Sequence, residues 1–240
     1  MTQYHPADLG ALSDLLSLKA ACSRRPLSVA IDGRSGTGKS TLAAVLAADL
    51  GATLVEGDDF YAGGTSIREE PPACLVRSCI DWVRQRAVLE SLRAGHRASW
   101  RAFDWETFDG RLLDEPTCIE PRQIIILEGV YSARPELADL IDLSVLLKVD
   151  EPVRQARLLA REGEMGAWEY QWQAAEDFYF KDVRPEQQFD VLFAESGFTG
   201  AGLCCTNPQR DSRRESSMVA GRHEQTHTPD LQDEELAGLQ

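Results

Sequence analysis

Gly33-Arg34-Ser35-Gly36-Thr37-Gly38-Lys39-Ser40 is a glycine-rich stretch that follows the apolar run Leu27–Ile31 and opens a helical pattern over Lys39–Leu50. The glycines let the backbone curl so that successive N–H groups point inward, where they can surround phosphate oxygens. The helix that follows adds its positive amino-terminal end. Lys39 can bring a mobile charge to the β and γ phosphates, and the Ser40 hydroxyl can bind Mg²⁺. The stretch therefore predicts a P-loop that binds ATP together with Mg²⁺.

A short degenerate motif can arise by chance, but this one lies between a strand and a helix, which is the context that a P-loop requires. Gly51 then ends the helical pattern. The prediction assigns the nucleotide to one continuous set of residues: Gly33, Arg34, Ser35, Gly36, Thr37, Gly38, Lys39, Ser40 and Thr41. The motif says nothing about the molecule that receives the phosphate.

Strand-like and helix-like patterns alternate along the chain. Short apolar runs predict further strands at Thr53–Val55, Ile124–Leu127, Leu143–Val149 and Phe189–Phe193. Helical patterns cover Leu9–Cys22, Ile80–Ala94, a segment from Pro152 onward, and Ala167–Lys181. This alternation predicts an α/β fold: a parallel sheet of the P-loop NTPase type with helices on both faces. The pattern leaves the order of the strands open.

Two segments lie outside this alternation. Residues 97–120 mix charges, aromatic side chains and turn residues, which predicts a small irregular or hairpin insertion. Residues 197–240 contain few apolar side chains, and these do not recur at helical or strand spacing, so the segment is predicted to form a disordered tail. The predicted organisation is one P-loop domain over residues 1–196, with a small lid after the helix that begins at Pro152, followed by the tail.

Composition limits the classes of function. The formal net charge of −14 speaks against nucleic acid as the main partner, because phosphate backbones are bound through surplus Lys and Arg. No apolar run approaches bilayer length, and the first ten residues lack the pattern of a secretory signal. The 6 cysteines show no zinc-like or redox CxxC spacing and are predicted to be reduced thiols. We expect a cytoplasmic protein that acts on a small molecule and binds neither nucleic acid nor membrane.

Acidic residues follow two of the predicted strands, at the edge where open α/β sheets bind ligands. Asp58 and Asp59 come after Thr53–Val55, and one of them could accept a hydroxyl proton while the other helps to hold the metal shell. Glu128 ends the most apolar strand, where a P-loop enzyme places the acid that holds Mg²⁺ through water. An Asp-rich surface turn and a solvated strand-end acid are the alternatives, and the nearby P-loop favours the functional interpretation.

These features resemble the uridine kinase-like nucleoside kinases, the branch of P-loop kinases that also holds phosphoribulokinase, pantothenate kinase and nicotinamide riboside kinase. The matching segments are Gly33–Ser40, Asp58-Asp59-Phe60-Tyr61, Leu127-Glu128-Gly129-Val130 and Arg157-Leu158-Leu159-Ala160-Arg161-Glu162. Further matches to bacterial proteins labelled uridine kinase are Asp81-Trp82, Phe103-Asp104-Trp105 and Tyr131–Leu137. The resemblance spans Leu27 to Phe193. Because many families share the P-loop, the Asp-Asp-Phe-Tyr and Leu-Glu-Gly segments carry the narrower assignment.

The resemblance implies roles on the side of the phosphate donor. Asp58 falls at the position of the family's catalytic base, and Arg161 falls in the lid, where family arginines reach the transferring phosphate. Lys39 completes the predicted catalytic set by neutralising the γ-phosphoryl group, while Ser40 with Glu128 holds Mg²⁺. The resemblance also implies ATP as the donor and a homo-oligomer, a dimer or a tetramer.

On the acceptor side, the resemblance places Tyr61 near the substrate. It sets Asp81 and Asp104 near positions that hold the acceptor's hydroxyl groups or base. Arg157 shares a helix face with Arg161 and joins this set, either at the lid or on a solvated charged face.

Two departures from the family pattern concern the lid and the acceptor. Glu162 replaces the Asp that usually follows the lid arginine, and Phe103-Asp104-Trp105 lacks the histidine that follows the matching segment in uridine-cytidine kinases. The acceptor therefore stays open: a nucleoside or similar metabolite leads, and pantothenate, a sugar phosphate or a nucleoside monophosphate are alternatives. A non-catalytic nucleotide-binding regulatory protein is a third hypothesis. Asp58 and Glu128 argue against it, because binding alone needs neither.

Other patterns favour ordinary structural roles. Arg154 is predicted to lie on a solvated helix face. An aromatic stripe at helical spacing, formed by Trp168 and Trp172 with Ala175 and Tyr179, is more typical of core packing than of a ligand platform. The 4 histidines are scattered and support no histidine-based site or metal cluster.

Overall fold

A computed structural model of the chain describes residues 3–194. Its strands, in chain order, are β1 (Leu27–Asp32), β2 (Thr53–Glu56), β3 (Ala98–Trp100), β4 (Thr117–Ile119), β5 (Ile124–Glu128), β6 (Leu143–Lys148) and β7 (Val191–Ala194). Its helices are α1 (Leu9–Ala21), α2 (Lys39–Leu50), α3 (Pro72–Ser78), α4 (Trp82–Arg93), α5 (Glu151–Glu162) and α6 (Ala167–Phe178). The predicted tail, residues 197–240, lies outside the described residues.

Five parallel strands form the central sheet in the order β2-β5-β1-β6-β7. The P-loop strand β1 is therefore the middle strand, and each of its residues is buried. Its register pairs Ile31 with Glu128 of β5, so the ends of these two strands lie side by side. This arrangement confirms the predicted α/β fold and brings the P-loop and Glu128 to one edge of the sheet.

Helices cover both faces of the sheet because alternate strand residues point to opposite sides. On one face, Ile124 and Ile126 of β5 pack with Leu16 of α1 and Leu46 of α2. On the other face, the next residues of the same strand, including Ile125, pack into a second cluster with side chains of α3 and α4. The continuous apolar run of β5 is explained by this double burial.

Several element boundaries differ from the sequence prediction, and each difference has a local cause. The helix predicted to begin at Ile80 begins at Trp82, because Ile80 bridges to Tyr61 and Asp81 caps the helix. The helix predicted over Ala167–Lys181 ends at Phe178 and continues as a wider turn over Tyr179–Val183. The insertion contains β3 and β4, which pair antiparallel. The short helix α3 was not predicted.

No helix within residues 3–194 combines the length and the apolar character needed to cross a bilayer.

Candidate functional site

The P-loop lies between β1 and α2 and is shaped by two features that only glycine satisfies well. Gly36 and Gly38 adopt positive φ values of 83° and 88°. A Cβ added to Gly36 would lie 2.9 Å from Cγ of Leu158, so α5 packs directly over the loop. Within residues 3–194 no side chain caps the start of α2 at Gly38, and the amino-terminal end of a helix is a site where a phosphate can bind.

Lys39 is held close to this loop. Its Nζ donates a hydrogen bond of 3.0 Å to the carbonyl oxygen of Arg34, and the side chain of Thr37 donates to the same oxygen at 2.8 Å. Lys39 is buried, with 8% of its surface exposed. The ammonium group is thus already placed within the curve of the loop, where the β and γ phosphates of a nucleotide would bind.

Asp32, the last residue of β1, is a buried acceptor that joins three parts of the site. It accepts hydrogen bonds from the N–H groups of Gly33, Tyr131 and Ala133 and from the hydroxyl of Tyr179, at 2.8 to 3.0 Å. Burial raises its pKa, against the lowering effect of these hydrogen bonds. Sequence reasoning overlooked Asp32, although an acid immediately before the P-loop at a buried strand end was an available signal.

Ser40 and Glu128, the two residues predicted to hold Mg²⁺, contact each other. The Ser40 hydroxyl donates to Oε2 of Glu128 at 3.2 Å, and Glu128 is 1% exposed. A hydroxyl and a carboxylate are hard oxygen ligands, and Mg²⁺ in such sites takes only one or two protein ligands besides phosphate and water. The residues fit Mg²⁺ in this sense. Residues 3–194 contain no group of three or more His, Cys, Asp or Glu residues suited to a metal.

The structure separates Asp58 from Asp59, which lie in a single 3₁₀ turn, Gly57–Phe60, directly after β2. Asp58 is half-buried and lines a pocket that begins at the P-loop. Asp59 is buried and accepts a hydrogen bond of 2.9 Å from Nε1 of Trp100. Burial raises the pKa of Asp59 to about 6. Only Asp58 therefore occupies a position from which it could reach a bound acceptor.

This pocket brings together several of the predicted site residues. Ser35 of the P-loop, Asp58, Tyr61 and Arg161 all contribute to its lining. The aromatic ring of Trp105 lies on the same wall, and its Nε1 donates to the backbone oxygen of Asp58 at 3.2 Å. The pocket thus connects the phosphate-binding loop with the candidate base and the lid arginine.

Asp81 and Asp104, predicted to contact the acceptor, do not line this pocket and have other partners. Asp81 caps α4 by accepting from the N–H of Arg84 at 3.1 Å. Asp104 is buried and accepts from the N–H groups of Glu106 and Thr107 at 3.0 and 3.1 Å. Both side chains shape turns beside the pocket wall, which accounts for their presence without a ligand.

The three arginines of α5 lie at different depths. Arg161 is exposed and pairs with Glu162 at 2.7 Å, while Arg157 places its guanidinium 3.9 Å from where a Cβ on Gly38 would lie. The prediction that Arg154 is solvated is wrong. It is 4% exposed and donates to the carbonyl oxygen of Ser35 at 3.1 Å. Its bond with Glu151 lowers the pKa of that carboxyl to about 2.

The aromatic stripe of α6 divides between core and pocket. Ala175 and Tyr179 are fully buried, as core packing predicts, whereas Trp168 and Trp172 are half-buried and line the pocket. Ala175 and Tyr179 belong to the core cluster that also contains side chains of α3 and α4.

Glu176 is a site residue that sequence reasoning missed. It is 3% exposed, and its carboxylate accepts hydrogen bonds from the backbone N–H of Ser35 at 3.1 and 3.2 Å and from the Ser35 hydroxyl at 2.5 Å. Its position four residues after Trp172 places both side chains on one helix face, and that acid within an aromatic stripe was the available signal.

Several solved structures are similar in fold to this chain. A provisionally named fructose transport system kinase from Silicibacter sp. TM1040 aligns with a TM-score of 0.58 at 23% identity, over 77% of this chain and 98% of that one. A possible uridine kinase from Bacillus stearothermophilus aligns with a TM-score of 0.56 at 21% identity, over 76% and 98%. The fold is that of the P-loop kinases. This finding confirms the predicted resemblance to the uridine kinase-like group at the level of the fold.

A D-glycerate 3-kinase from Cryptococcus neoformans has the same P-loop kinase fold, with a TM-score of 0.55 at 15% identity, over 78% of this chain and 94% of that one. The names of these three structures differ: a fructose transport system kinase, a possible uridine kinase and a D-glycerate 3-kinase. No protein-family model and no curated protein sequence matches the chain. The comparisons therefore show the fold, and both the activity and the acceptor must be argued from the residues of the pocket.

Proposed function

We propose that this protein is an ATP-dependent kinase that transfers the γ-phosphoryl group to a hydroxyl of a nucleoside or similar small metabolite. The observation that supports this most is the pocket that runs from Ser35 of the P-loop to Asp58 and Arg161. A nucleotide in the P-loop would present its γ-phosphate at the loop end of this pocket, and an acceptor in the pocket would lie beside Asp58.

In the proposed reaction, the acceptor oxygen attacks the γ-phosphorus and the bond from that phosphorus to the bridging oxygen of ADP breaks. Asp58 orients the hydroxyl and takes up its proton. Lys39 and Arg161 neutralise charge on the phosphoryl oxygens. Mg²⁺, held by Ser40 and Glu128, would supply further neutralisation of the phosphates.

Arg157 is assigned to the same phosphate region, because its guanidinium lies beside Gly38 on the P-loop. Tyr61 is assigned to the acceptor wall. Pantothenate, a sugar phosphate and a nucleoside monophosphate are the alternative acceptors that the sequence left open. Pantothenate and a sugar phosphate would also accept the phosphoryl group on a hydroxyl, by the same transfer. A regulatory protein that binds nucleotide without turnover would have no need of Asp58 in the pocket.

A panel of acceptors in an ATP-consumption assay tests the proposal, with Asp58→Asn as the diagnostic variant. The variant should bind ATP nearly as well as the original protein, while transfer falls by roughly 10²- to 10⁴-fold. Asp14→Asn, an exposed acid on α1, serves as the matched control and should retain full activity. Full activity of Asp58→Asn with the true acceptor would remove Asp58 from its proposed role, and no acceptor-dependent consumption across the panel would favour the regulatory hypothesis.

Cytoplasmic localisation and a dimeric or tetrameric state are further proposals, based on composition and on the family resemblance. Light scattering on the purified protein and fractionation of its host cells would test the two separately.

A further inference from the structure

The acceptor end of the pocket is walled by aromatic rings from three parts of the chain. Tyr61 follows β2, Trp105 lies in the insertion, and Trp168 with Trp172 lies on α6. The rings contact one another: Tyr61 and Trp105 have centroids 4.8 Å apart, Tyr61 and Trp172 are 5.9 Å apart, and Trp168 and Trp172 are 5.5 Å apart. The half-buried rings of Trp105, Trp168 and Trp172 line the pocket, and aromatic rings attract other rings and cations.

The charges around this wall are predominantly negative. Four acids contribute to the pocket lining: Asp58, Glu162, Glu169 and Glu176. Among the lining residues that the structure describes, the single cationic side chain is Arg161, and Glu162 pairs with it at 2.7 Å. Arg161 is also the residue that the proposed reaction uses on the transferring phosphate, so it is not available to neutralise an acidic acceptor.

Two of these acids are fixed in place by the backbone. Glu169 accepts a hydrogen bond of 2.7 Å from the N–H of Gly166 at the start of α6. Glu176 is held by Ser35, as described above. Glu176 thus lies at the P-loop end of the pocket, whereas Glu169 follows Trp168 of the aromatic wall. Because the carboxylate of Glu169 is held by a backbone N–H, an anionic group beside the aromatic wall would meet its charge in a partly dry environment.

We propose, resting on the proposed kinase function, that this pocket selects its acceptor by charge: it takes a ring-bearing alcohol that is uncharged or cationic and rejects one that carries a carboxylate or phosphate. The aromatic wall binds the ring by stacking or by cation–π contact. Glu169, beside the aromatic wall, repels the anion. This selection separates the acceptors that the sequence left open, since pantothenate, sugar phosphates and nucleoside monophosphates are all anions, whereas nucleosides are not.

The test uses pairs of alcohols that share a ring and a ribose and differ by one carboxylate. Uridine is compared with orotidine, and nicotinamide riboside with nicotinic acid riboside. Two readouts are taken on the full chain with its P-loop intact: acceptor-dependent ATP consumption, and quenching of tryptophan emission on titration with the acceptor alone. We expect the uncharged or cationic member of each pair to be favoured by roughly ten- to a hundredfold in both readouts.

Variants connect the preference with the residues. Glu169→Gln keeps an acceptor for the N–H of Gly166 and removes the charge, so it should narrow the preference several-fold. Glu90→Gln, an acid on α4 outside the pocket, is the charge control and should leave the preference unchanged. Trp168→Leu should weaken binding of every ring-bearing member, while Tyr170→Leu, a 59% exposed aromatic residue on the same helix, should not.

The outcomes separate this inference from the kinase proposal. If acceptors are phosphorylated but the anionic members are equal or favoured, charge selection is overturned and the kinase function stands. If quenching shows the expected preference without any ATP consumption, charge selection stands and the kinase function fails. Absence of quenching by every member overturns the acceptor pocket itself.

Discussion

The carboxylate of Glu176 accepts hydrogen bonds from both the backbone N–H and the hydroxyl of Ser35, at the tip of the phosphate-binding loop. On the other side of the same residue, Arg154 donates to the carbonyl oxygen of Ser35 at 3.1 Å. An ion pair between Arg34 and Asp177 adds a further link. Helices α5 and α6 therefore hold the loop tip, and the same two helices carry Arg161 and the pocket tryptophans Trp168 and Trp172. Ser35 therefore connects the P-loop with the two helices that line the pocket.

Removal of this acid should loosen the loop. Glu176→Ala leaves the N–H and hydroxyl of Ser35 without their acceptor, so we expect a loss of about 1–3 kcal/mol in the free energy of unfolding and weaker binding of ATP. Glu176→Gln retains an acceptor oxygen and should recover part of both. Denaturant unfolding and calorimetric titration with ATP measure the two effects. Unchanged ATP affinity in the alanine variant would show that the contact does not shape the loop.

The sequence predicted those parts of the site that depend on position along one element. Gly33–Ser40 and Glu128 each end or follow a buried strand, and the carboxyl ends of parallel strands lie along one edge of the sheet whatever the strand order. The pairing of β1 with β5, which sets these two ends side by side, was not predicted. The sequence could not predict that Arg154 and Glu176 both reach Ser35, because those contacts depend on how α5 and α6 pack beside the P-loop. The short helix α3 begins at Pro72, contains too few residues for a helical period, and therefore left no pattern.

The pair Asp58 and Asp59 illustrates a second limit. The sequence placed both at the sheet edge and could not say which one faces the ligand. One turn of 3₁₀ helix decides this, because it directs the side chain of Asp59 toward Trp100 and leaves Asp58 in the pocket wall. Such a choice depends on about one turn of backbone, which is finer than the resolution of a sequence pattern.

Burial of Asp59 should make stability depend on pH. Burial raises its pKa from 3.8 to about 6, so the folded protein keeps this proton up to a higher pH than the unfolded chain. The contribution of Asp59 to the free energy of unfolding therefore falls as the pH rises from 3.8 to about 6 and is constant above that range. Over this range, from 3.8 to about 6, the loss in the free energy of unfolding amounts to about 3 kcal/mol.

Asp59→Asn isolates this contribution, since the amide stays neutral and its oxygen can still accept from Nε1 of Trp100. We expect the variant to be more stable than the original protein at pH 7, and the two to converge near pH 4. Chemical denaturation at a series of pH values measures the free energy of unfolding of both proteins. Subtracting one from the other cancels the contributions of the other acids, which both proteins share. A difference that is the same at every pH would contradict the raised pKa of Asp59.

Variants of Asp81 can distinguish a structural role, as the cap of α4, from contact with the acceptor. As the cap of α4, Asp81→Ala should cost about 1 kcal/mol of stability, and Asp81→Ser should restore most of it because a serine hydroxyl can accept the same N–H. Neither change should alter the KM for the acceptor. A raised KM in the serine variant, with stability recovered, would return Asp81 to the acceptor site that the family resemblance implied.

Gly36 tests the packing of α5 on the P-loop. Gly36→Ala places an alanine at a positive φ of 83° and brings its Cβ within 2.9 Å of Cγ of Leu158. Gly51→Ala is the control: it places an alanine at a positive φ of 58°, where the added Cβ meets open space. The strained backbone costs about 1–2 kcal/mol in either variant, and the overpacked contact should add about 1–3 kcal/mol at Gly36 alone. ATP binding should fall in the Gly36 variant only.

Combining Gly36→Ala with Leu158→Ala removes the contact with Cγ of Leu158, so the double variant should be less destabilised than the sum of the single changes. Strict additivity in urea unfolding would mean that α5 does not close over the loop as the structure shows.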